Sequence, residues 1–489
     1  MIEFSGVKRM RVLENLEPKR VFYYFEELCK IPHGSRNTKQ ISDYCVEFAK
    51  DQGLMWYQDN DNNVIIIKDA APGYEKAEPI IIQGHLDMVC EKTADCTIDM
   101  EKEGLSIYVD GDEIRAHKTT LGGDDGIAVA MALAILENKT LLHPRLEAVF
   151  TVDEEIGMLG AVSIDVSMLK GHTMLNLDSE DEGVFTVSCA GGNVAECVLP
   201  LTKEAYSGKA YEITITGLKG GHSGVEINKG RANANVLMGR FLQEIADKAK
   251  ISLLRVDGGL KDNAIPVSST AWVTGQEDIL KKEAVSFRET LRREYASTDP
   301  DIAISVEEKE AQNVGLCDRE TTKKVICLLC CLPNGIQKMS MDIEGLVQTS
   351  LNMGIVKTTE KELSISFCVR SSVASEKEMI NRRLFSMMEQ LGGTCHITGD
   401  YSAWEYRKDS KLRELMIEIF KEQYQREPKV EAIHAGVECG MFAGKIKDLD
   451  CVSFGPDLKQ IHTVRESMSI SSVQRVYAFV LEILKRCKE

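Results

Sequence analysis

Short apolar runs that stop abruptly at charged residues mark the first part of the chain. Ile80-Ile81-Ile82, Ala148 to Val152 and Met174 to Leu177 are too uniformly apolar for half-exposed strands, and they predict strands covered on both faces, as in a largely parallel sheet. Ile127 to Leu136 predicts a helix among them. From residue 192 the pattern changes. Tyr211 to Thr216 alternates with the period of a half-buried strand, and Asn235 to Lys248 has the spacing of an amphipathic helix. A helix over 279–294, a strand over 302–306, a helix over 321–332, strands within 345–370, a helix over 376–391 and a strand over 394–400 follow, an α+β pattern of roughly two related halves. The earlier style returns near Tyr401, with a helix over Lys411 to Gln425 and a buried-type strand over Cys451 to Phe454. The patterning therefore predicts an α/β domain made of 1–191 and 402–489, with a mixed central sheet, split by an inserted α+β domain over 192–401.

The chain has 489 residues, 43% of them hydrophobic and 28% charged, enough for a sizeable core and more than one domain. A formal charge of −17 opposes binding to nucleic acid or anionic membrane, which need basic patches to neutralise phosphate. No apolar run approaches the roughly 20 residues of a membrane span. The opening stretch Met1 to Arg11 mixes in charges and is too short for a signal peptide, so a cytoplasmic address is expected. The 15 cysteines are odd in number, dispersed and set in apolar surroundings, which predicts reduced core thiols, and Cys327, Cys330 and Cys331, in the helical stretch ending at Pro333-Asn334-Gly335, read as structural too.

Each predicted buried strand stops at a cluster of His, Asp or Glu. That is where open α/β sheets place ligands, at the carboxyl ends of strands. Five segments carry the pattern: Gly84-His85-Leu86-Asp87, Leu121 to Gly126, Asp153 to Gly157, Asn176-Leu177-Asp178 and Gln460 to Thr463. Asp87, two residues beyond His85, is placed to support its ring. Asp124 opens the 127–136 helix at its positive end, or simply caps it. Glu154 and Glu155 are adjacent acids that point different ways, so one can ligate a cation while the other stays free as a base, though an acidic surface run reads the same. Two histidines and three carboxylates (His85, Asp124, Glu155, Asp178, His462) match what a pair of divalent cations with mixed nitrogen and oxygen ligation requires.

These motifs, in this order, resemble the co-catalytic zinc peptidases of the M20 family, and within it the aminoacyl-histidine dipeptidases (Xaa-His dipeptidases, peptidase D). The likeness runs nearly end to end through IPHGS (31–35), QGHLDMV, TTLGGDDGIA, TVDEEIGMLGA, NLDSEDEG, GGHSG (220–224), HAGVECG (434–440) and His462. The resemblance implies a zinc-peptidase-type catalytic domain with an inserted lid, and two Zn2+ ions that Co2+ or Mn2+ could replace. It assigns His85 and Asp178 to one ion, Glu155 and His462 to the other, and Asp124 to both. It makes Glu154 the general base and Asp87 the orienting acid. His222 would polarise the substrate carbonyl, and Asn263 and Arg370 would hold the C-terminal carboxylate of a small peptide. It admits a homodimer, and a doubled insertion would supply His222 from the same chain. It also implies a cis peptide after Asp124. One position departs from the family: Asp125 stands where Asn is usual. A tripeptidase, carboxypeptidase or deacylase of the same family, or a metal-free scaffold relative, are the competing readings.

Overall fold

The computed structural model describes residues 11–488, so most of the opening stretch discussed above lies outside the described residues. The chain divides into two compact units. The first is built from the part up to Ser188, Tyr406–Glu431 and the part from Val437, and the second from Cys189–Glu405 and Ala432–Gly436. Residues 189–191, 402–405 and 432–436 thus stand with the second unit, whereas sequence pattern grouped them with the first. The reason is backbone pairing: Cys189 and Trp404 exchange hydrogen bonds of 3.0 and 3.2 Å, and Ala190 N donates to the carbonyls of Ile433 and Ala435. No hydrophobic pattern encodes such partners.

The first unit is organised by a mixed sheet in which Met55–Gln58, Val64–Lys68, Leu146–Thr151, Ile80–His85, Thr173–Asn176 and Asp450–Ser453 are successive neighbours. Ile80–His85 is parallel to both Leu146–Thr151 and Thr173–Asn176, and Asp450–Ser453 is parallel to the latter. All six residues of Ile80–His85 and of Leu146–Thr151 are buried, which is why these strands read as unbroken apolar runs. The helix Gly123–Glu137 is buried along nearly its whole length, Asp124 and Glu137 excepted. Gly455 lets the chain leave Asp450–Ser453 beside the segment after Asp178, because a Cβ there would stand 1.8 Å from the Ser179 carbonyl oxygen.

The second unit carries an antiparallel sheet in the order Ala303–Cys317, Lys203–Thr216, Ser269–Thr274, Ser252–Gly258, Val347–Thr358, Glu362–Ser371, Gly191–Pro200, Thr394–Tyr401. Helices Ala234–Ala246, Glu277–Glu294, Arg319–Cys331 and Ala374–Leu391 bury Phe241, Phe287, Leu328 and Leu384 in its core. The strand expected over 302–306 extends to Cys317. Its continuation, Glu307-Glu308-Lys309-Glu310, lies on an edge strand, where charged side chains face water and the hydrophobic signal vanishes.

None of the fifteen cysteines forms a disulfide. Cys330 and Cys331 are exposed, so they are not core residues. They sit on the last turn of Arg319–Cys331, away from the buried Val325, Ile326, Leu328 and Leu329. Among the described residues, no helix is long and apolar enough to cross a membrane.

Candidate metal centre and substrate cradle

Three adjacent parallel strands deliver their carboxyl ends to one place in the first unit. Ile80–His85 ends on His85, Leu146–Thr151 leads into Glu154 and Glu155, and Thr173–Asn176 leads into Asp178. Asp124 comes from the first turn of Gly123–Glu137, where the peptide to Asp125 is cis, and His462 comes from the loop after Leu458–Lys459. The five side chains converge. His85 Nε2 lies 3.2 Å from Asp124 Oδ1 and 3.9 Å from Asp178 Oδ1, while His462 Nε2 lies 3.1 Å from Asp124 Oδ2 and 2.8 Å from Glu155 Oε1. Asp124 therefore turns a different oxygen to each imidazole.

The groupings His85–Asp124–Asp178 and Asp124–Glu155–His462 each bring their ligand atoms within 4.8 Å of one another, and Asp124 is common to both. A third grouping joins His85 with Glu154 and Glu155. Glu155 Oε1 is buried and, despite its 2.8 Å approach to His462, makes no hydrogen bond. Imidazole nitrogens and carboxylate oxygens gathered this closely suit a common cation, and imidazole with carboxylate is a donor set that zinc accepts.

The electrostatics point the same way. Burial disfavours the charged form of Asp178, and Asp124, Glu154 and Glu438 add repulsion, so its pKa is raised well above the usual carboxylate range although His85 opposes this. At Glu154 burial again leads, with Glu438, Glu155 and Asp124 assisting against His85, and the pKa rises to about 8. At His85 burial opposes protonation, but hydrogen bonds to Asp124 and Asp87 outweigh it and raise the pKa. The site holds more buried acid than its two imidazoles can balance.

Asp87 supports His85 differently from the simplest expectation. The ring nitrogen Nδ1 meets the backbone oxygen of Asp87 at 2.9 Å, while the carboxylate is 3.6 Å away. That carboxylate instead accepts the Ser35 hydroxyl at 2.7 Å and the Glu154 N–H at 3.1 Å, which ties the IPHGS loop and the Glu154 turn to the His85 strand. Asp125 is 1% exposed, and its Oδ2 accepts the His85 N–H at 3.2 Å. Burial first, then the charges of Asp178 and Asp124, push its pKa well up despite His85. Burial thus favours the neutral form of the carboxyl at the one position where the sequence departs from the family's usual Asn. Gly84 makes room for it, since a Cβ there would come within 2.5 Å of Asp125 Oδ2.

Two further acids escaped sequence reasoning. Glu466, 4% exposed, accepts backbone N–H groups of Leu121 and Gly123 at 2.8 Å, with longer contacts from Gly122 and Asp124, and so fixes the loop that presents Asp124. Glu438 is fully buried and receives the Gln83 amide and the Thr151 hydroxyl, at 2.6 and 2.7 Å, from the carboxyl-terminal parts of the two strands. The only available signal was position: Glu466 follows His462 by one helical turn's spacing, and Glu438 lies in HAGVECG.

His222, Asn263 and Arg370 belong to the second unit. His222 pairs with Ala264 across a short ladder, and Asn263 O accepts the Ser223 N–H at 2.9 Å, so the first two are neighbours. His222 Nδ1 receives the N–H groups of Gly224 and Val225, both at 3.2 Å. That leaves the ring proton on Nε2, and burial together with Arg370 lowers the pKa and keeps the ring neutral. Arg370 is 8% exposed and donates to Tyr401 Oη at 3.0 Å, and its Nε has no partner. A Cβ on Gly224 would stand 3.0 Å from His222 Cε1 and 3.2 Å from Arg370 Nε, so the glycine is the gap across which these two side chains meet.

A mixed sheet ending in paired imidazoles and acids, in a chain interrupted by an α+β unit, defines a metallohydrolase architecture. The chain matches the model of Peptidase family M20/M25/M40 over residues 81–486 and belongs to that family. It is 34% identical over 481 residues, 97% of this chain and 99% of the relative, to the cytosol non-specific dipeptidase of Escherichia coli K12. The crystal structure of aminoacylhistidine dipeptidase from Vibrio alginolyticus superposes with a TM-score of 0.91 at 34% identity, covering 97% of each chain. Aminopeptidase PepT from Bacillus cereus shares the fold at a TM-score of 0.55 and 15% identity, over 97% of this chain and all of its own.

Proposed function

We propose that this chain is a metal-dependent dipeptidase of broad range that accepts Xaa-His peptides. In this reading His85 and Asp178 hold one divalent cation, Glu155 and His462 the other, and Asp124 both, with zinc as the metal and cobalt or manganese as substitutes. The supporting observation is the placement of the two Asp124 oxygens, one toward each imidazole. Bound there, the cations supply Lewis acidity that polarises the scissile carbonyl and acidifies water.

The remaining steps fall to the protein's own groups. Glu154, whose backbone is fixed by Asp87, takes the proton of the attacking water and passes it to the leaving amine, a role that needs a carboxylate titrating near neutrality. The neutral His222 offers Nε2–H to the carbonyl oxygen as negative charge develops on it. Arg370 and Asn263 bind the C-terminal carboxylate. The names of the two relatives, a cytosol non-specific dipeptidase and an aminoacylhistidine dipeptidase, support the substrate class and a cytoplasmic address.

The test is a panel of unblocked dipeptides, with Xaa-His and β-alanyl-histidine included, run beside N-blocked and longer peptides on protein of measured metal content. Dipeptide cleavage that vanishes with chelation and returns with zinc is expected. Preference for tripeptides or N-acyl amino acids would move the chain to another specificity within the family. Less than one equivalent of zinc, with no gain on adding it, would favour a scaffold. Sedimentation of the zinc-loaded protein reads the homodimer directly.

A further inference from the structure

Within the second unit, Arg370 has a neighbour that no part of the mechanism has used. Ser350 and Arg370 are directly paired across antiparallel strands, so their side chains share a face of the sheet. Next along the same row come Gly192, opposite Arg370, and Tyr401, opposite Gly192. The missing side chain of Gly192 is what lets Tyr401 reach the guanidinium, since a Cβ there would stand 2.6 Å from Tyr401 Oη. At the other end of the row, Ser350 Oγ lies 2.7 Å from Nε2 of His434, a residue 6% exposed. His434 Nδ1 is buried with no partner, and so are Arg370 Nε and Ser223 Oγ in the same unit. Among the described residues, no carboxylate pairs with Arg370. A buried guanidinium without a counter-ion, bordered by unfilled polar atoms, is a cradle for an anion.

We propose that His434 is a substrate-binding residue. Its Nδ1–H, held in that tautomer by a hydroxyl proton from Ser350, donates to the terminal carboxylate of the peptide beside Arg370 and makes a free C-terminus a requirement. The inference deepens the proposed function and rests on it. Burial, with repulsion from Arg370 and His222, lowers the His434 pKa to about 3, so the ring stays neutral and acts as a directional donor beside the guanidinium charge.

The two amide replacements separate the ring nitrogens. His434→Gln puts its amide where Nε2 faces Ser350 and leaves the Nδ1 position empty, whereas His434→Asn puts an N–H near Nδ1. In the zinc-loaded enzyme, H434Q is expected to raise KM for a dipeptide roughly tenfold to a hundredfold, the worth of one hydrogen bond to a charged group, with kcat falling less than about threefold. H434N should recover most of that loss, and Ser350→Ala should raise KM in the same direction by less. Calorimetry in a Glu154→Gln background, with a dipeptide and its C-terminal amide as probes, gives a second readout. There H434Q should weaken the free acid and leave the amide nearly unchanged, and S350A serves if H434Q does not fold. Equal KM values for H434Q and wild type, or equal weakening of acid and amide, overturn the assignment. A wild-type enzyme that cleaves no dipeptide with any of the three metals overturns the function reading instead, and the acid-against-amide comparison on the zinc-loaded chain then judges the cradle by itself.

Discussion

Glu154 and Asp125 are both acids near His85, but Asp125 is buried and Glu154 only partly so. Glu154 lies among Glu438, Glu155 and Asp124, and its side chain receives no backbone donor, so its proton is exchangeable. Glu154→Gln should keep both cations and lose on the order of 10²–10⁴ in kcat, the usual contribution of a positioned base. Metal analysis and steady-state rates check this, and an active, metal-replete variant would remove Glu154 from the base role. Asp125 accepts the His85 backbone N–H, and burial favours its neutral form. Asp125→Asn conserves the acceptor, so kcat/KM should change by less than about tenfold, under one hydrogen bond's worth. Asp125→Ala strands the His85 N–H in a buried site and should cost about 1–3 kcal/mol in thermal or denaturant unfolding.

Among the elements, the strand ends were legible in the sequence because burial and function coincide there. An apolar run must stop where the sheet meets the crevice, and a polar residue within three positions of its end, His85, Glu154 or Asp178, reaches the candidate site. The supports were not legible, because they act through backbone. Glu466 grips the amides of Leu121 and Gly123 from more than three hundred residues away, and its own segment shows nothing beyond an acid in a loop. The same carboxylate lies four residues past His462, so it joins the two loops that present Asp124 and His462. Glu466→Gln replaces half of an all-acceptor group with an amide that would face N–H donors. Affinity for the cation shared by Asp124 and His462 should fall roughly 10–100-fold, as for other groups that orient metal ligands. Titration of the apoprotein with zinc measures this, and two unchanged binding steps would reduce Glu466 to a helix cap.

At the scale of the whole molecule, the contrast between the units predicts how the protein answers to metal. The first unit concentrates its uncompensated acid at the ends of its most buried strands, where Asp178 and Glu154 have pKa values pushed up by burial and by neighbouring acids. Cations binding there stabilise only the folded form, by about 2.7 kcal/mol when free metal exceeds Kd a hundredfold. The second unit has its own core, with Phe241, Phe287, Phe367 and Leu384 buried in it, and among the described residues none of the groups that could hold a cation. Chelation should therefore speed amide exchange at 84–87, 121–126, 153–157, 176–179 and 460–466, while the strands Val347–Thr358 and Glu362–Ser371 keep their protection. Hydrogen exchange with and without zinc makes the comparison within one sample. Uniform loss of protection across both units would mean that the metal serves global folding, and the convergence of His85, Asp124, Glu155, Asp178 and His462 would then not be a local binding site.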